Sequence, residues 1–265
     1  MAKYGTLRGW VILLGCLPVV HNCMATAANK DFCEDAWGHV QQAPAVTDRL
    51  QQWSALNTQC GNSGLYESRL ARLNILAGRF EEARRVAQAG LALKSPYEKE
   101  LLSTEAEIDL NQFRLDKALL QYVALIKSYP DYYDGYAGVG TVKLMQHNFT
   151  EAVQYLNQAA ARGKVPVYIY RNLIIAHHQL GENQQAIDAV NTAYKVDTDI
   201  VKDKDAMNAA ARSYIFIGNY HAADGALKML VKSNPEAAND PQIRQTMSYV
   251  AKKLQEEKQS GADRH

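Results

Sequence analysis

The sequence has little proline and few of the patterns that mark β-strands. Only 7 of its 265 residues are proline, and alanine and glutamine recur throughout, while valine-rich alternating runs are absent. Proline breaks helices and alternating β-branched residues favour strands, so this balance favours an all-α fold. The formal net charge is +1, which gives no strong electrostatic attraction to nucleic acid or to acidic lipid.

The common catalytic and metal-binding motifs are also absent. The chain has no His-Glu-x-x-His, Gly-x-Ser-x-Gly or Cys-x-x-Cys segment. His177 and His178 are adjacent and would point about 100° apart on a helix, which does not suit a shared metal ion. The glycine-rich stretch 135–143 differs from a phosphate-binding loop because its lysine does not follow the last glycine. We therefore expect no enzymatic activity, no cofactor and no metal ion.

The N-terminus has the features of a secretory signal peptide. Lys3 and Arg8 accompany a 12-residue apolar stretch, Gly9 to Val20, and Ala25-Thr26-Ala27 follows as a cleavage site. A bilayer span needs about 20 apolar residues, so a retained membrane anchor is the less favoured alternative. We predict that residues 1–27 are removed and that the mature chain contains no membrane span.

Lipidation is a second processing route that the same segment allows. Leu13-Leu14-Gly15-Cys16 resembles a bacterial lipobox, in which Cys16 would carry the lipid. The apolar run continues past this cysteine, which favours simple cleavage. Either route exports the protein, and we expect a periplasmic location, with an outer-membrane lipoprotein facing the periplasm as the alternative.

Two of the 4 cysteines, Cys33 and Cys60, remain after cleavage. An even pair in an oxidising compartment predicts a disulfide, and the alternative is two unpaired thiols. Their separation is 27 residues, for which the chain-entropy account gives a stabilisation of roughly 3–4 kcal/mol.

A short pattern occurs five times, with a spacing close to that of a known repeat. In each copy, an alanine follows the first residue of the pattern by three positions, and a further apolar or small residue comes four positions after the alanine. The alanines are 35, 34, 34 and 37 residues apart. They are Ala83, Ala118, Ala152, Ala186 and Ala223. Glycine precedes three copies, at Gly78, Gly181 and Gly218, where it would end a helix in a left-handed turn.

This pattern resembles the tetratricopeptide repeat (TPR), a pair of antiparallel helices about 34 residues long. The resemblance covers residues 64–237 and implies an all-α fold, a right-handed superhelical solenoid of about five helix-turn-helix units. Those units are 64–98, 99–132, 133–166, 167–203 and 204–237. No single pair buries its apolar stripe alone, so neighbouring pairs must stack.

Capping segments are expected at both ends of the solenoid. Residues 28–63, which contain Trp37, Trp53 and the cysteine pair, are predicted to form an N-terminal cap with the disulfide. Residues 238–258 carry an apolar helical stripe and are predicted to form a C-terminal capping helix. Residues 259–265 are expected to be a disordered tail.

The resemblance also implies that a protein or peptide binds in the concave groove lined by the first helix of each unit. The family's groove positions, carried over to this sequence, are Ser68, Arg72, Ser103, Glu107, Ala137, Thr141, Arg171, Ile175, Asn208 and Arg212. Tyr168 and His178 are expected near the same face, and Asp134 is also predicted to belong to the binding groove. The surface around Tyr133, Asp134, Tyr168 and Arg171 is the preferred patch. Glu107 and Ala137 stand where chaperone-binding TPRs place basic or polar groups, so that subtype is disfavoured.

The expected function is therefore a periplasmic interaction scaffold or adaptor for an envelope partner, in pilus, secretion or envelope assembly. One alternative is an outer-membrane lipoprotein, a pilotin or assembly factor lipidated on Cys16. Another is a regulatory subunit of an envelope enzyme. The sequence leaves the pathway, the partner and the oligomeric state open.

Overall fold

The computed structural model describes residues 30–262, and every regular element in this range is helical. The chain divides into two compact units, which we call unit 1, ending at Ser95, and unit 2, beginning at Pro96. The predicted signal peptide 1–27, including Cys16, lies outside the described residues, as do residues 263–265 of the predicted tail.

Residues 30–95, the described part of unit 1, contain five helices. Helix α1 covers residues 30–40 in the described range. It is followed by α2 (Val46–Ala55), α3 (Asn57–Cys60), α4 (Gly64–Leu76) and α5 (Phe80–Ala92). Helices α4 and α5 pack against each other as the first helical hairpin.

Three aromatic rings hold the N-terminal helices of unit 1 against α4. Trp53 is fully buried, and its Nε1 donates a hydrogen bond of 3.1 Å to the carbonyl oxygen of Tyr66. The Trp53 ring stacks on Tyr66 with centroids 5.4 Å apart, and Trp37 meets it edge-on at 5.1 Å. Such ring pairs bury a large apolar area and satisfy the indole N–H, so this segment is folded onto the first hairpin.

Cys33 and Cys60 form a disulfide that joins α1 to α3. Their Cα atoms are 5.8 Å apart and both side chains are buried. The bond closes a segment in which the two cysteines are separated by 27 positions. The short α3 has one helical turn, so the covalent link fixes the position of a segment that packing alone would hold weakly.

Unit 2 contains four helical hairpins and a final helix. The hairpins are α6 (Glu98–Asn111) with α7 (Leu115–Ser128), α8 (Tyr133–Met145) with α9 (Phe149–Ala160), α10 (Val167–Gln179) with α11 (Asn183–Val196), and α12 (Lys204–Phe216) with α13 (Tyr220–Ser233). Short 3₁₀ turns, Thr198–Lys202 and Pro235–Asn239, precede α12 and α14 (Pro241–Ala262). Successive hairpins of unit 2 stack on one another.

The same turn ends the first helix of every hairpin. The residue two positions before the second helix has positive φ in all five, namely Gly78, Phe113, His147, Gly181 and Gly218. The next residue donates its backbone N–H to a carbonyl five positions earlier, at 2.8–2.9 Å. This bond satisfies a carbonyl that the helix end leaves free. The five hairpins therefore share one turn conformation.

The repeated alanines are small residues that are buried within the five hairpins. Ala83, Ala118, Ala152, Ala186 and Ala223 are all 0% exposed. Larger side chains fill the remaining space one turn away, as Leu156 does beside Ala152. Glycine plays the same part on α8, where a Cβ on Gly140 would lie 2.7 Å from Leu156 Cγ. Close packing therefore explains the glycine-rich stretch of the sequence.

Helix α14 caps unit 2, with boundaries that differ from the prediction. It begins at Pro241 rather than residue 238, because residues Pro235–Asn239 form a 3₁₀ turn and Asp240 caps the helix by accepting from the backbone N–H of Gln242. It continues to Ala262, so residues 259–262 are helical and not a disordered tail; this stretch has no proline to stop it. Ile243 and Val250 of α14 are buried against α13. Within residues 30–262, no helix combines the length and the apolar character that crossing a membrane requires.

Candidate functional site

The first helices of unit 2 lie side by side. Helices α6, α8, α10, α12 and α14 each contact the next one in this order. We call the surface that these five helices present the first-helix face. Nine of the residues predicted in or near the groove lie on α8, α10 or α12, so their surroundings decide which of them is available to a partner.

Asp134 is buried, which corrects the expectation that it forms part of an open patch. It is 6% exposed, and its Oδ2 accepts hydrogen bonds from Tyr132 at 2.7 Å and Ser103 at 3.4 Å. Its Oδ1 accepts one from the hydroxyl of Tyr168 at 3.0 Å. A buried carboxylate is costly without such donors. Asp134 and Tyr168 therefore connect α6, α8 and α10, and their polar groups serve the stacking of repeats.

The hydroxyl of Tyr132 stays protonated in this cluster. Burial, followed by the negative charge of Asp134, raises the pKa of Tyr132 far above its ordinary value. At neutral pH the phenol is therefore protonated and acts as a hydrogen-bond donor to the carboxylate.

Arg171 is paired within the chain, contrary to the expectation that it binds a carboxylate of the partner. Its Nε donates to Asp203 Oδ2 at 2.5 Å and its Nη2 donates to Asp205 Oδ2 at 2.9 Å. Asp203 also caps α12, since its Oδ1 accepts from the backbone N–H groups of Asp205 and Ala206. The guanidinium of Arg171 thus joins α10 to the beginning of α12.

Thr141 and Asn208 also connect first helices. The hydroxyl of Thr141 accepts a hydrogen bond of 3.0 Å from Asn172, which lies on α10. Asn208 is buried and accepts one of 2.9 Å from the hydroxyl of Thr246 on α14. Both side chains therefore lie between stacked helices.

Arg72 and Glu107 are half-buried. Arg72 lies on α4 in unit 1 and Glu107 lies on α6 in unit 2. Each takes part in an interaction within the chain. Neither is available as a free charge.

A cleft opens between α12 and α14, at the C-terminal end of the first-helix face. Its volume is about 540 Å³. A smaller cavity of about 170 Å³ adjoins it towards α10 and shares Arg212 and Gln242 with it. We call the two together the α12–α14 cleft. The larger part is lined by Arg212, Ile215, Phe216, Gln242, Gln245, Thr246 and Tyr249.

Arg212 is the cation of this cleft. Its side chain is exposed, and within residues 30–262 no hydrogen bond or ion pair engages it. Two aromatic rings beside it are also accessible, since Phe216 is 69% and Tyr249 is 45% exposed. Of the predicted groove residues, Arg212 is therefore the charged group that remains open.

His178 lies in the smaller part of the cleft, with Asp205 and Arg212. Its Nδ1 is 3.1 Å from the hydroxyl of the buried Ser213, and its ring lies 6.3 Å from that of Phe216. Burial, and then the charge of Arg212, lower the pKa of His178 below its ordinary value. The imidazole is therefore neutral at neutral pH and offers hydrogen-bonding atoms instead of a charge.

The sequence interpretation missed the contribution of α14 to this cleft. Gln242, Gln245, Thr246 and Tyr249 have the spacing of one helical face, beside the apolar stripe that packs on α13. This polar stripe is visible in the sequence and could have indicated that α14 contributes to a binding surface. The cleft can hold an extended chain through one cation, two amide side chains and two aromatic rings. In the part of the chain that the structure describes, no group of three or more His, Cys, Asp or Glu side chains could hold a metal ion.

Comparison with protein families finds the repeat in the sequence itself. Residues 140–199 match the profile of a tetratricopeptide repeat family. The matched segment begins in α8 and ends just after α11, so it covers the middle of unit 2. No curated protein matches the sequence at a significant level.

Solved structures share the fold at low sequence identity. A protein characterised as PilF of Pseudomonas aeruginosa has a TM-score of 0.62 at 12% identity, over 85% of this chain and 99% of that one. The thermophilic TPR protein TTC0263 of Thermus thermophilus has a TM-score of 0.54 at 17% identity, over 71% and 98%.

A third match is a chain of the APC/C hetero-tetramer Cut9–Hcn1, with a TM-score of 0.64 at 15% identity. The match covers 77% of this chain and spans only 39% of the length of that one. Together with the repeated turn and the buried alanines, these likenesses show that the chain has the fold of tetratricopeptide repeat proteins, and residues 140–199 also match a sequence profile of that family.

Proposed function

We propose that the protein is exported and acts as an adaptor in the bacterial cell envelope, where it binds a protein partner on its first-helix face. The observation that carries the binding proposal is the α12–α14 cleft, in which Arg212 has no partner among the described residues and Phe216 and Tyr249 are exposed. Exposed aromatic rings grouped beside an unused cation are typical of interaction sites. Stacked helical repeats generally bind other proteins through such extended faces.

Export is supported by two features that belong together. The sequence begins with a segment that has the pattern of a signal peptide. The cysteines that remain after its removal lie at bonding distance in unit 1. Disulfides persist in oxidising compartments and are rare in the cytosol, so the bond suits an exported chain.

The lipid-anchored alternative uses the same face. Lipidation at Cys16 would make the protein a pilotin or assembly factor held at a membrane, whereas cleavage after Ala27 would release it into the periplasm. The likeness to PilF supports the fold that both alternatives share. Pilus, secretion and envelope assembly are the settings that we propose for the adaptor.

Mass spectrometry of the protein purified from a bacterial envelope tests export. We expect a mature chain that begins at Ala28 without modification. An acylated Cys16 at the N-terminus would establish the lipid-anchored alternative. A chain that keeps residues 1–27 and stays in the cytoplasm would contradict export.

Site-specific photo-crosslinking in intact cells tests the binding face. A photoreactive residue replaces Gln179, which lines the cleft on α10, and in a control it replaces Asn191, which is exposed on α11. We expect one defined adduct at position 179 and none at position 191. Equal adducts at both positions, or none at either, would exclude the first-helix face as the binding site.

A further inference from the structure

We propose that the α12–α14 cleft recognises a segment of the partner in which an acidic side chain stands beside a large apolar side chain. This inference rests on the proposed function, because it names the chemistry of the partner that binds the first-helix face.

Charge complementarity selects the acidic side chain. Arg212 is the one charged residue among those that line the larger part of the cleft, and the others are uncharged. The nearby carboxylate of Asp205 is already bonded to Arg171 at 2.9 Å. A guanidinium presents parallel N–H groups that match a carboxylate, so the group that the larger part of the cleft lacks is one carboxylate.

The apolar surface selects the neighbouring side chain. Ile215 and Phe216 line the cleft from α12, as Arg212 does, and Tyr249 lines it from α14. Phe216 is 69% and Tyr249 is 45% exposed. Covering them with an apolar side chain removes this surface from water. A volume of about 540 Å³ lies in the range of sites that bury a ligand and is enough for a few side chains.

Polar groups on α14 suit the backbone of an extended segment. Gln242 and Gln245 line the cleft three positions apart, and each amide provides a donor and an acceptor. These amides can form hydrogen bonds with the N–H and C=O groups of a bound peptide, whatever side chains the peptide carries. Arg212 and the aromatic rings therefore select the side chains of the bound segment, whereas the glutamine amides bind its backbone whatever its sequence.

The walls of the cleft are held in place by groups outside the proposed contacts. The buried bond of 2.9 Å from Thr246 to Asn208 joins α14 to α12. Arg171 and Asp203 fix the beginning of α12. A site with fixed walls loses less entropy on binding, which favours recognition of a short segment.

A selection experiment with the purified, disulfide-bonded protein tests the inference. The probe is a phage-displayed library of random 12-residue peptides. We expect the selected peptides to be enriched in Asp or Glu next to Phe, Tyr, Trp, Leu or Ile. A fluorescein-labelled peptide of the enriched sequence then gives the dissociation constant, which should rise with salt concentration because an exposed ion pair is screened.

Matched variants identify the residues responsible. Arg212→Gln should weaken binding of the labelled peptide about tenfold or more, since a charge-assisted hydrogen bond is lost. Arg244→Gln changes an exposed arginine of α14 that does not line the cleft, and binding should stay unchanged. Phe216→Ser should weaken binding as well, whereas Tyr194→Ser, at an exposed tyrosine of α11, should not. These positions are exposed, so circular dichroism should show an intact fold in every variant.

The inference is overturned if no peptide is enriched, if the enriched peptides show no excess of acidic residues, or if Arg244→Gln weakens binding as much as Arg212→Gln. Its failure is distinguishable from that of the proposed function. A defined crosslink at position 179 together with a selection that shows no acidic preference would remove this inference alone. Equal or absent crosslinks at positions 179 and 191 would remove the proposed function.

Discussion

A glycine-to-alanine substitution on α8 should destabilise the protein, although alanine is the better helix former. A Cβ built on Gly138 would lie 2.2–2.4 Å from three ring atoms of Tyr122. Carbon atoms in contact are about 3.5–4.0 Å apart, so the ring must move by more than about 1 Å. Tyr122 is 3% exposed and packs in the cluster between α7 and α8, which leaves little room for that movement.

Two opposing effects determine how far Gly138→Ala changes the free energy of unfolding. Overpacking a well-filled core costs about 1–3 kcal/mol, and replacement of glycine by alanine inside a helix gains about 1 kcal/mol. The short distances at Gly138 favour the upper end of the cost, so we expect a net loss of about 2 kcal/mol. Gly225 on α13 is a matched control, because a Cβ there meets no atom within 4 Å. Gly225→Ala should therefore stabilise the protein by about 0.5–1 kcal/mol.

Urea unfolding of the wild type and the two variants measures both effects. We expect the urea midpoint of unfolding to fall for Gly138→Ala and to rise for Gly225→Ala. The slope of the unfolding free energy against urea concentration should stay unchanged. The opposite signs separate packing from helix propensity, because propensity alone would raise both midpoints. A Gly138→Ala midpoint at or above that of the wild type would refute the packing argument.

Two further predictions concern the disulfide and the cleft histidine. Cys33→Ser should lower the free energy of unfolding by about 3–4 kcal/mol under oxidising conditions, and a reductant should destabilise the wild type but not the variant; equal stability of the wild type with and without reductant would exclude the bond in solution. His178 should make stability depend on pH, because its lowered pKa favours the neutral form in the fold: its contribution is complete above the ordinary pKa of 6.5 and is lost as pH falls below that value through the folded pKa. Urea unfolding between pH 5 and 8 should show a smaller loss towards pH 5 in His178→Gln than in the wild type, and identical losses would contradict the argument.

The fold could be predicted from sequence because its main determinants are local and periodic. Each buried alanine recurs close to the family spacing, and Gly78, Gly181 and Gly218 mark three of the turns. The other two turns are made by Phe113 and His147, which have the same positive φ without being glycine. Side chains are strained in that conformation, so residue type alone could not indicate these turns. The spacing of the surrounding repeats supplied the information instead.

The site was less predictable, because family position places a residue on a helix but does not reveal its partners. Asp134, Arg171 and Asn208 all lie on first helices, yet each is bonded to a neighbouring repeat. These partners lie 31–38 positions away in sequence. Such pairs appear only once adjacent repeats are stacked. The sequence therefore identified the face but not which of its charges is free.

The position of a charge within its first helix explains why Arg171 is paired and Arg212 has no partner among residues 30–262. Carboxylates are grouped at the beginning of the next first helix: Asp203 and Asp205 begin α12, and Asp240 begins α14. Arg171 and Lys204 lie early enough in α10 and α12 to reach them, at 2.5 Å and 3.1 Å.

Arg212 lies two turns beyond Lys204 on α12, opposite the glutamine and tyrosine side chains of α14 that line the cleft. A basic residue in the first turns of a first helix therefore pairs with a carboxylate of the next repeat and holds the two repeats together. A basic residue further along the helix is paired only if the next first helix has a carboxylate opposite it. At the C-terminal end of this protein the next helix offers no carboxylate at the cleft, and we infer that the partner supplies it.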